Sequence, residues 1–196
     1  MEFHGVRLLN IDLLGLSQIY LSSDKVASVM EWFDPQRMDN FQPLLVHDFG
    51  NNIYTLTDGH TRTYVAYKNG VSVLPVVYDN DDIITNQIGQ MLYKADIDWC
   101  KRFKISHIKH LESRILDKSA YQKLWHERCD RSYNLLTKTS YNERIQLQCL
   151  APDLFLYGAF ENMLVLFFEN ETGELFLYKD NTLTKEKQTT VETEIS

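Results

Sequence analysis

The sequence predicts an α+β fold: a mixed domain over residues 1–82, a helical segment over 83–140, a small antiparallel sheet over 150–180 and a disordered tail over 184–196. Three observations carry this. Strand-like runs alternate with helix signatures in the first zone. Apolar residues then recur every three or four positions, the period of a helix face. After about Ala151 the pattern changes to alternation with dense aromatics, the period of a strand.

Val6-Arg7-Leu8-Leu9-Asn10-Ile11-Asp12-Leu13 reads as the first strand. Ser22-Ser23-Asp24 is a helix N-cap signature, since a short polar side chain can accept from an unpaired amide of the first turn. Val26, Val29, Met30 and Phe33 follow at i, i+3, i+4 and i+7, one apolar helical face. Asp34-Pro35 closes that helix, because the residue before a proline is pushed out of the α region. Pro43-Leu44-Leu45-Val46-His47 and Ile53-Tyr54-Thr55-Leu56-Thr57 read as two strands of a hairpin, turned by Phe49-Gly50-Asn51-Asn52. A short helix is predicted from His60, carrying Tyr64, Val65 and Tyr67 to a Gly70 cap. Val73-Leu74-Pro75-Val76-Val77-Tyr78 is a further strand. Its proline lacks an N–H, which predicts a sheet edge or the strand's start.

In the second zone Ile84, Ile88, Met91, Leu92 and Ala95 have helix spacing, as do Ile105, Ile108, Leu111 and Ile115, then Tyr121, Leu124, Trp125 and Cys129. In the third, Leu154-Phe155-Leu156-Tyr157, Leu164-Val165-Leu166-Phe167 and Leu175-Phe176-Leu177-Tyr178 read as three antiparallel strands, the last two turned by Glu171-Thr172-Gly173-Glu174. This aromatic run can serve as a dimer face or close a small sheet over the core, which leaves the oligomeric state open.

The chain has 196 residues, 44% hydrophobic and 24% charged, with a net charge of -7. That composition can bury a core. Sequence-independent binding to nucleic acid needs a basic footprint, which this charge balance opposes. The start of the chain has no basic region followed by an apolar run, and the longest apolar run, Met163-Leu164-Val165-Leu166-Phe167-Phe168, is too short to span a bilayer. Three widely spaced cysteines, Cys100, Cys129 and Cys149, suggest reduced thiols in a cytoplasmic protein, with no membrane partner.

The stretch that carries chemistry is Leu56-Thr57-Asp58-Gly59-His60-Thr61-Arg62, where a buried strand delivers the chain to a helix start. Helix N-termini present unpaired N–H groups and a positive partial charge, so they attract phosphate. Gly59 lets backbone approach a ligand, Arg62 can fork onto phosphate oxygens, and His60 can donate to a phosphate or shuttle a proton. Asp58 can hold a metal ion that bridges phosphates, or take a proton from a hydroxyl. Each also has a plain structural reading: Asp58 as a helix cap, His60 as a turn residue, Arg62 as a paired surface arginine. Elsewhere, Asp79-Asn80-Asp81-Asp82 reads as a solvated turn capping a helix before it reads as a cation site. His107 and His110, spaced i, i+3 with no third ligand, read as a surface pair before they read as zinc ligands.

The loop and its setting resemble the ParB/sulfiredoxin superfamily. There a strand leads into Gly-Glu-Arg-Arg, Gly-Cys-His-Arg or, in free serine kinases, Asp-Gly-His-His-Arg. A helix with alanine, a glycine and a Val-Pro strand follow. This chain supplies Asp58-Gly59-His60-Thr61-Arg62, Ala66, Gly70 and Leu74-Pro75-Val76-Val77 in that order, and the similarity covers about residues 7–79. The resemblance implies a nucleotide (ATP, ADP or CTP) held by Gly59, His60, Thr61 and Arg62, with Mg²⁺ at Asp58. His60 stands where sulfiredoxins carry their cysteine, so that activity is not implied. The serine kinase branch implies phosphoryl transfer to a small hydroxylated metabolite, with Asp58 and His60 as its catalytic residues. That branch also uses a glutamate ahead of the first helix, where Leu16-Ser17-Gln18-Ile19-Tyr20 has no carboxylate. A phosphotransferase or NTPase and a non-enzymatic nucleotide sensor therefore both stand. Partition proteins bind DNA through a following helical domain. Here acidic residues dilute the basic ones in that zone, which argues against DNA as a partner.

Overall fold

Five short strands build the first sheet. They are β1 (Val6–Asn10), β2 (Leu14–Gly15), β4 (Leu44–Asp48), β5 (Tyr54–Leu56) and β6 (Val73–Tyr78), in the order β1-β6-β4-β5-β2. The computed structural model describes residues 2–130, 133, 155–160, 165–169, 174–179 and 182–186. The chain divides into two compact units, Met1–Tyr121 and Gln122–Ser196.

In the first unit the sheet is mixed: β1 and β5 run antiparallel to their neighbours β6 and β4, while β6 and β2 run parallel to β4 and β5. The register aligns Leu44 with Val76, Val46 with Leu56 and Leu9 with Leu74. Leu44, Val46, Leu56, Leu74 and Val76 therefore share one face, and all are fully buried. Helix α2 (His60–Lys68) lies on that face, with Gly59 against Leu44, and packs on α1 (Ser23–Trp32). The other face carries His47 and Thr55. Over it lies α4 (Gln87–Arg102), whose Gln90 Nε2 is 3.2 Å from His47 Nε2 and whose Tyr93 stacks on Phe49 at 5.0 Å. The short helix α3 (Asp82–Thr85) abuts α4 so closely that a Cβ on Gly89 would sit 1.7 Å from the Ile83 carbonyl oxygen.

Local signals placed most elements. Ser22 caps α1, its hydroxyl accepting from Lys25 N, and the chain leaves the helix at Phe33. The hairpin forms as expected, with Asp48 Oδ1 accepting from the amides of Gly50, Asn51 and Asn52. The acidic turn is a cap: Asp81 Oδ1 accepts from Ile83 N at 2.8 Å. Cys100 and Trp99 are buried in the core. Neither Cys100 nor Cys129 is in a disulfide, and burial pushes the Cys100 thiol up from its ordinary range.

Four expectations need correction. The first strand stops at Asn10, and Ile11–Leu13 forms a 3-10 turn held by Asn10 Oδ1 on Asp12 N. Met30 is 62% exposed, so the α1 stripe is narrower than its spacing suggests, with Val26 alone fully buried. Pro75 lies in an interior strand, because pairing with β1 on one side and β4 on the other outweighs the one donor it lacks. The run from Ile105 to Ile115 is not an α-helix. Ile108–Arg114 forms a 3-10 helix, in which i and i+3 eclipse, so Ile108 and Leu111 both reach the core, and Ile105 is buried ahead of it where α4 is capped. Ile115 and Leu116 then form β7, which pairs in parallel with β3 (Leu21–Ser22). A last helical turn, α5 (Lys118–Tyr121), closes the unit.

The second unit holds a four-stranded antiparallel meander of β8 (Phe155–Phe160), β9 (Val165–Glu169), β10 (Leu175–Lys179) and β11 (Thr182–Glu186). The fourth strand is one more than the sequence pattern gives, and through Glu186 it occupies the start of the segment expected as a disordered tail, paired there with β10. Cys149, Leu154, Leu164, most of the Glu171-Thr172-Gly173-Glu174 turn and residues 187–196 lie outside the described residues. No described helix is long and apolar enough to cross a membrane.

Candidate functional site

Strand β5 ends at Leu56, and the chain crosses Thr57-Asp58-Gly59 into α2. Gly59 is the N-cap at φ +92°, a left-handed conformation that side chains rarely adopt. A Cβ there would sit 2.5 Å from Leu44 Cδ2 and 3.1 Å from Arg62 Nη2, so the position also lacks room. The first-turn amides of α2 point outward from this corner without intrahelical partners. They open onto a cleft of about 440 Å³ lined by Thr57, Asp58, Gly59, His60, Thr61 and Arg62, with Gln18, Lys25, Ser28, Val29 and Trp32 across from them.

All the sequence-predicted site residues therefore gather at one cleft, but in different states. Arg62 is anchored: Nη1 donates to Gln42 O at 2.8 Å, Nη2 to Asp58 Oδ2 at 3.0 Å, and Cζ lies 5.9 Å from the Phe41 ring centre. The Asp58 side chain is 67% exposed and Arg62 18%, so the pair sits at the mouth with its guanidinium sheltered. Thr61 is half-buried in the first turn.

His60 is placed otherwise than a proton shuttle needs. It is 4% exposed, and its Nε2 accepts from Ser17 N at 3.2 Å. Ser17 Oγ in turn donates to Leu56 O at 2.7 Å. Burial holds the His60 pKa down to about 4, against a smaller upward pull from Asp58. The ring is therefore neutral near pH 7 and serves as an acceptor. The linkage has a definite sign. The unfolded chain takes up a proton near pH 6.5 and the folded one near 4, so stability is full above pH 6.5 and declines as pH falls towards 4. The slope is roughly 1.4 kcal/mol per pH unit. His60→Gln should flatten this decline in urea melts across the same window. Equal slopes in the two proteins would show that the ring is not held neutral.

The wall from α1 was not anticipated. Lys25, Ser28, Val29 and Trp32 recur at i, i+3, i+4 and i+7, one residue out of phase with the apolar stripe read from sequence. That second stripe was available as a signal. It mixes a cation, a hydroxyl and an indole, which a core face does not. Gln18 also lines the cleft, its Nε2 donating to Tyr20 O at 2.6 Å and Tyr121 Oη at 2.9 Å. Asp58 is the one carboxylate on this cleft among the described residues. No group of three or more His, Cys, Asp or Glu side chains able to hold a metal ion occurs among those residues. His107 instead places Nε2 2.7 Å from Asp12 Oδ1, and His110 Nδ1 accepts from Ser106 N.

No family model matches this sequence, and no curated protein matches it. Among solved structures the chain is similar to a conserved hypothetical protein from Pyrococcus furiosus, at a TM-score of 0.31 and 14% identity over 44% of this chain. The match spans 35% of that protein's length. It is also similar to the C-terminally truncated chromosome-partitioning protein ParB from Caulobacter crescentus, solved with CTP-γ-S, at a TM-score of 0.31 and 15% identity, covering 74% of this chain and 98% of that one.

Proposed function

We propose that this protein binds a nucleotide by its phosphates at the N-terminus of α2, as a binding module that does not turn its ligand over. The observation that carries the reading is the convergence on one cleft of the α2 first turn, Arg62 and Lys25, with Trp32 beside them; Lys25 Nζ rests 5.5 Å from the Tyr121 ring centre, a contact a phosphate can draw it from. Amides and two cations suit phosphate, and the indole offers a face on which a base can stack. The volume, about 440 Å³, lies within the usual range for small-ligand pockets. The resemblance of Asp58-Gly59-His60-Thr61-Arg62 to the ParB/sulfiredoxin loop supports the same ligand class. Mg²⁺ fits this donor set as an ion held mainly by phosphates and water, with Asp58 as its single protein carboxylate. When bound it neutralises phosphate charge.

Two observations favour binding over transfer. The His60 ring is neutral, buried and committed to Ser17. Gln18 lines the cleft in the segment where a kinase of this kind carries its base, and an amide takes no proton from a hydroxyl. The phosphotransferase reading rests on Asp58, exposed at the cleft mouth.

Calorimetric titration with ATP, ADP and CTP, with and without Mg²⁺, tests the proposal. Micromolar binding of one of them, without phosphate release, is the expected result. Absence of heat with all three sinks it, and release that vanishes in Asp58→Asn establishes transfer in its place. Asp58→Asn should itself raise the metal-free affinity by about 3- to 10-fold, since it frees Arg62 and removes a like charge from the phosphates. It should also abolish the gain from Mg²⁺.

A further inference from the structure

A second cavity, of about 580 Å³, opens on the α4 face of the first sheet, away from the α2 cleft. Its wall is apolar, built by Leu14 and Leu16 beside the edge strand, Ile53 ahead of β5, and Ile97 and Ile105 from α4 and the chain that leaves it. Three charged side chains, Asp12, Lys101 and Lys104, stand on its rim. One is already paired with an opposite charge, Lys101 with Asp98 at 3.1 Å, and Asp12 accepts a hydrogen bond from His107 Nε2 at 2.7 Å. No acidic partner is placed on Lys104 among the described residues.

The backbone singles out the same lysine. α4 ends in a Schellman motif, with Ile105 N donating to Cys100 O at 2.8 Å and Lys104 N to Lys101 O at 3.0 Å. The residue that must turn left-handed in this motif is usually glycine. Here it is Lys104, at φ +57°. A side chain is thus held at a position where glycine is more stable, and the strain coincides with the unmatched positive charge over an apolar cavity. Such strain is retained where the side chain has work to do.

We propose that this cavity binds a small apolar carboxylic acid, its carbon skeleton against Leu14, Ile53, Ile97 and Ile105 and its carboxylate on Lys104. The Lys104 ammonium, with no acidic partner among the described residues, selects a single anionic head, and the wall selects a hydrocarbon body. The inference stands independently of the nucleotide reading, since it shares no side chain with the α2 cleft.

Decanoate and 1-decanol, titrated into the full-length ¹⁵N-labelled protein and followed by amide shifts, test it. Decanoate should move the amides of Ile97, Cys100, Lys104 and Ile105 with a submillimolar dissociation constant, and 1-decanol should bind at least about tenfold more weakly. Lys104→Gly separates a binding role from a structural one, because the two effects have opposite signs. The variant should melt about 2–4 °C higher, as glycine accepts the left-handed turn, yet bind decanoate at least about tenfold more weakly. Lys104→Gln, which keeps the backbone cost and loses the charge, should lose the same affinity without the gain in melting temperature. Equal binding of the acid and the alcohol, undiminished decanoate affinity in either variant, or shifts that avoid these four amides would each overturn the proposal.

Discussion

Arg62→Ala is expected to lower the affinity of the α2 cleft for the proposed nucleotide by about 30- to 100-fold, or roughly 2–2.7 kcal/mol. A charge-assisted hydrogen bond to a phosphate contributes about 1.5–3 kcal/mol, and the guanidinium is the most sheltered cation on the cleft. Its position is set before any ligand arrives. Gln42 O and the Phe41 ring hold the side chain even without Asp58, so little rotamer freedom remains to be lost on binding. Arg62→Lys should recover charge but not the fork, and so fall between wild type and alanine. Stability should drop by only about 1 kcal/mol, because the partner Asp58 is well exposed and such pairs contribute little. Calorimetry on all three proteins, paired with thermal melts, separates affinity from folding. An Arg62→Ala protein with wild-type affinity would remove the cleft from consideration as the phosphate site.

Gly59→Ala should destabilise the fold by about 2–5 kcal/mol. A left-handed backbone costs a side chain about 1–2 kcal/mol, and forcing a methyl into a filled site costs a further 1–3 or so. Both conditions hold here: φ is +92°, and the new Cβ would lie 2.5 Å from Leu44 Cδ2, a side chain at 0% exposure. Leu44 belongs to the central strand β4 and cannot withdraw without disturbing Val76 opposite it. Relief by tilting α2 would turn its first-turn amides away from the cleft, so residual folded protein should also bind nucleotide poorly. Denaturant midpoints measure the first effect directly. A loss below about 1 kcal/mol would mean that the loop adapts and does not hold the helix end in place.

Much of the site was legible because its determinants are local. An Asp-Gly corner after an apolar strand, a helix within the next residues and an arginine one turn in are all neighbours in sequence, and the structure brings them to one cleft. The α1 wall was hidden by phase. The stripe at Val26, Val29, Met30 and Phe33 drew attention to the core, while Lys25, Ser28 and Trp32 sat one position earlier. His60 was hidden for another reason. Its partner is the amide of Ser17, 43 residues away, and nothing near His60 in sequence announces that the ring turns inwards.

The sequence by itself determined the caps, the β4–β5 hairpin, the helix that starts at His60 and the switch from helical to strand period, since each rests on hydrogen bonds or spacing within a few residues. Tertiary structure alone decided that Pro75 lies inside the sheet, that Ile115–Leu116 pairs with Leu21–Ser22, that the Ile105–Ile115 spacing is met by a 3-10 helix, and that Lys104 turns left-handed beside a cavity. Each of these is a choice between local conformations of similar energy. Burial against distant strands and helices tips that choice, and those contacts have no signature in the local pattern.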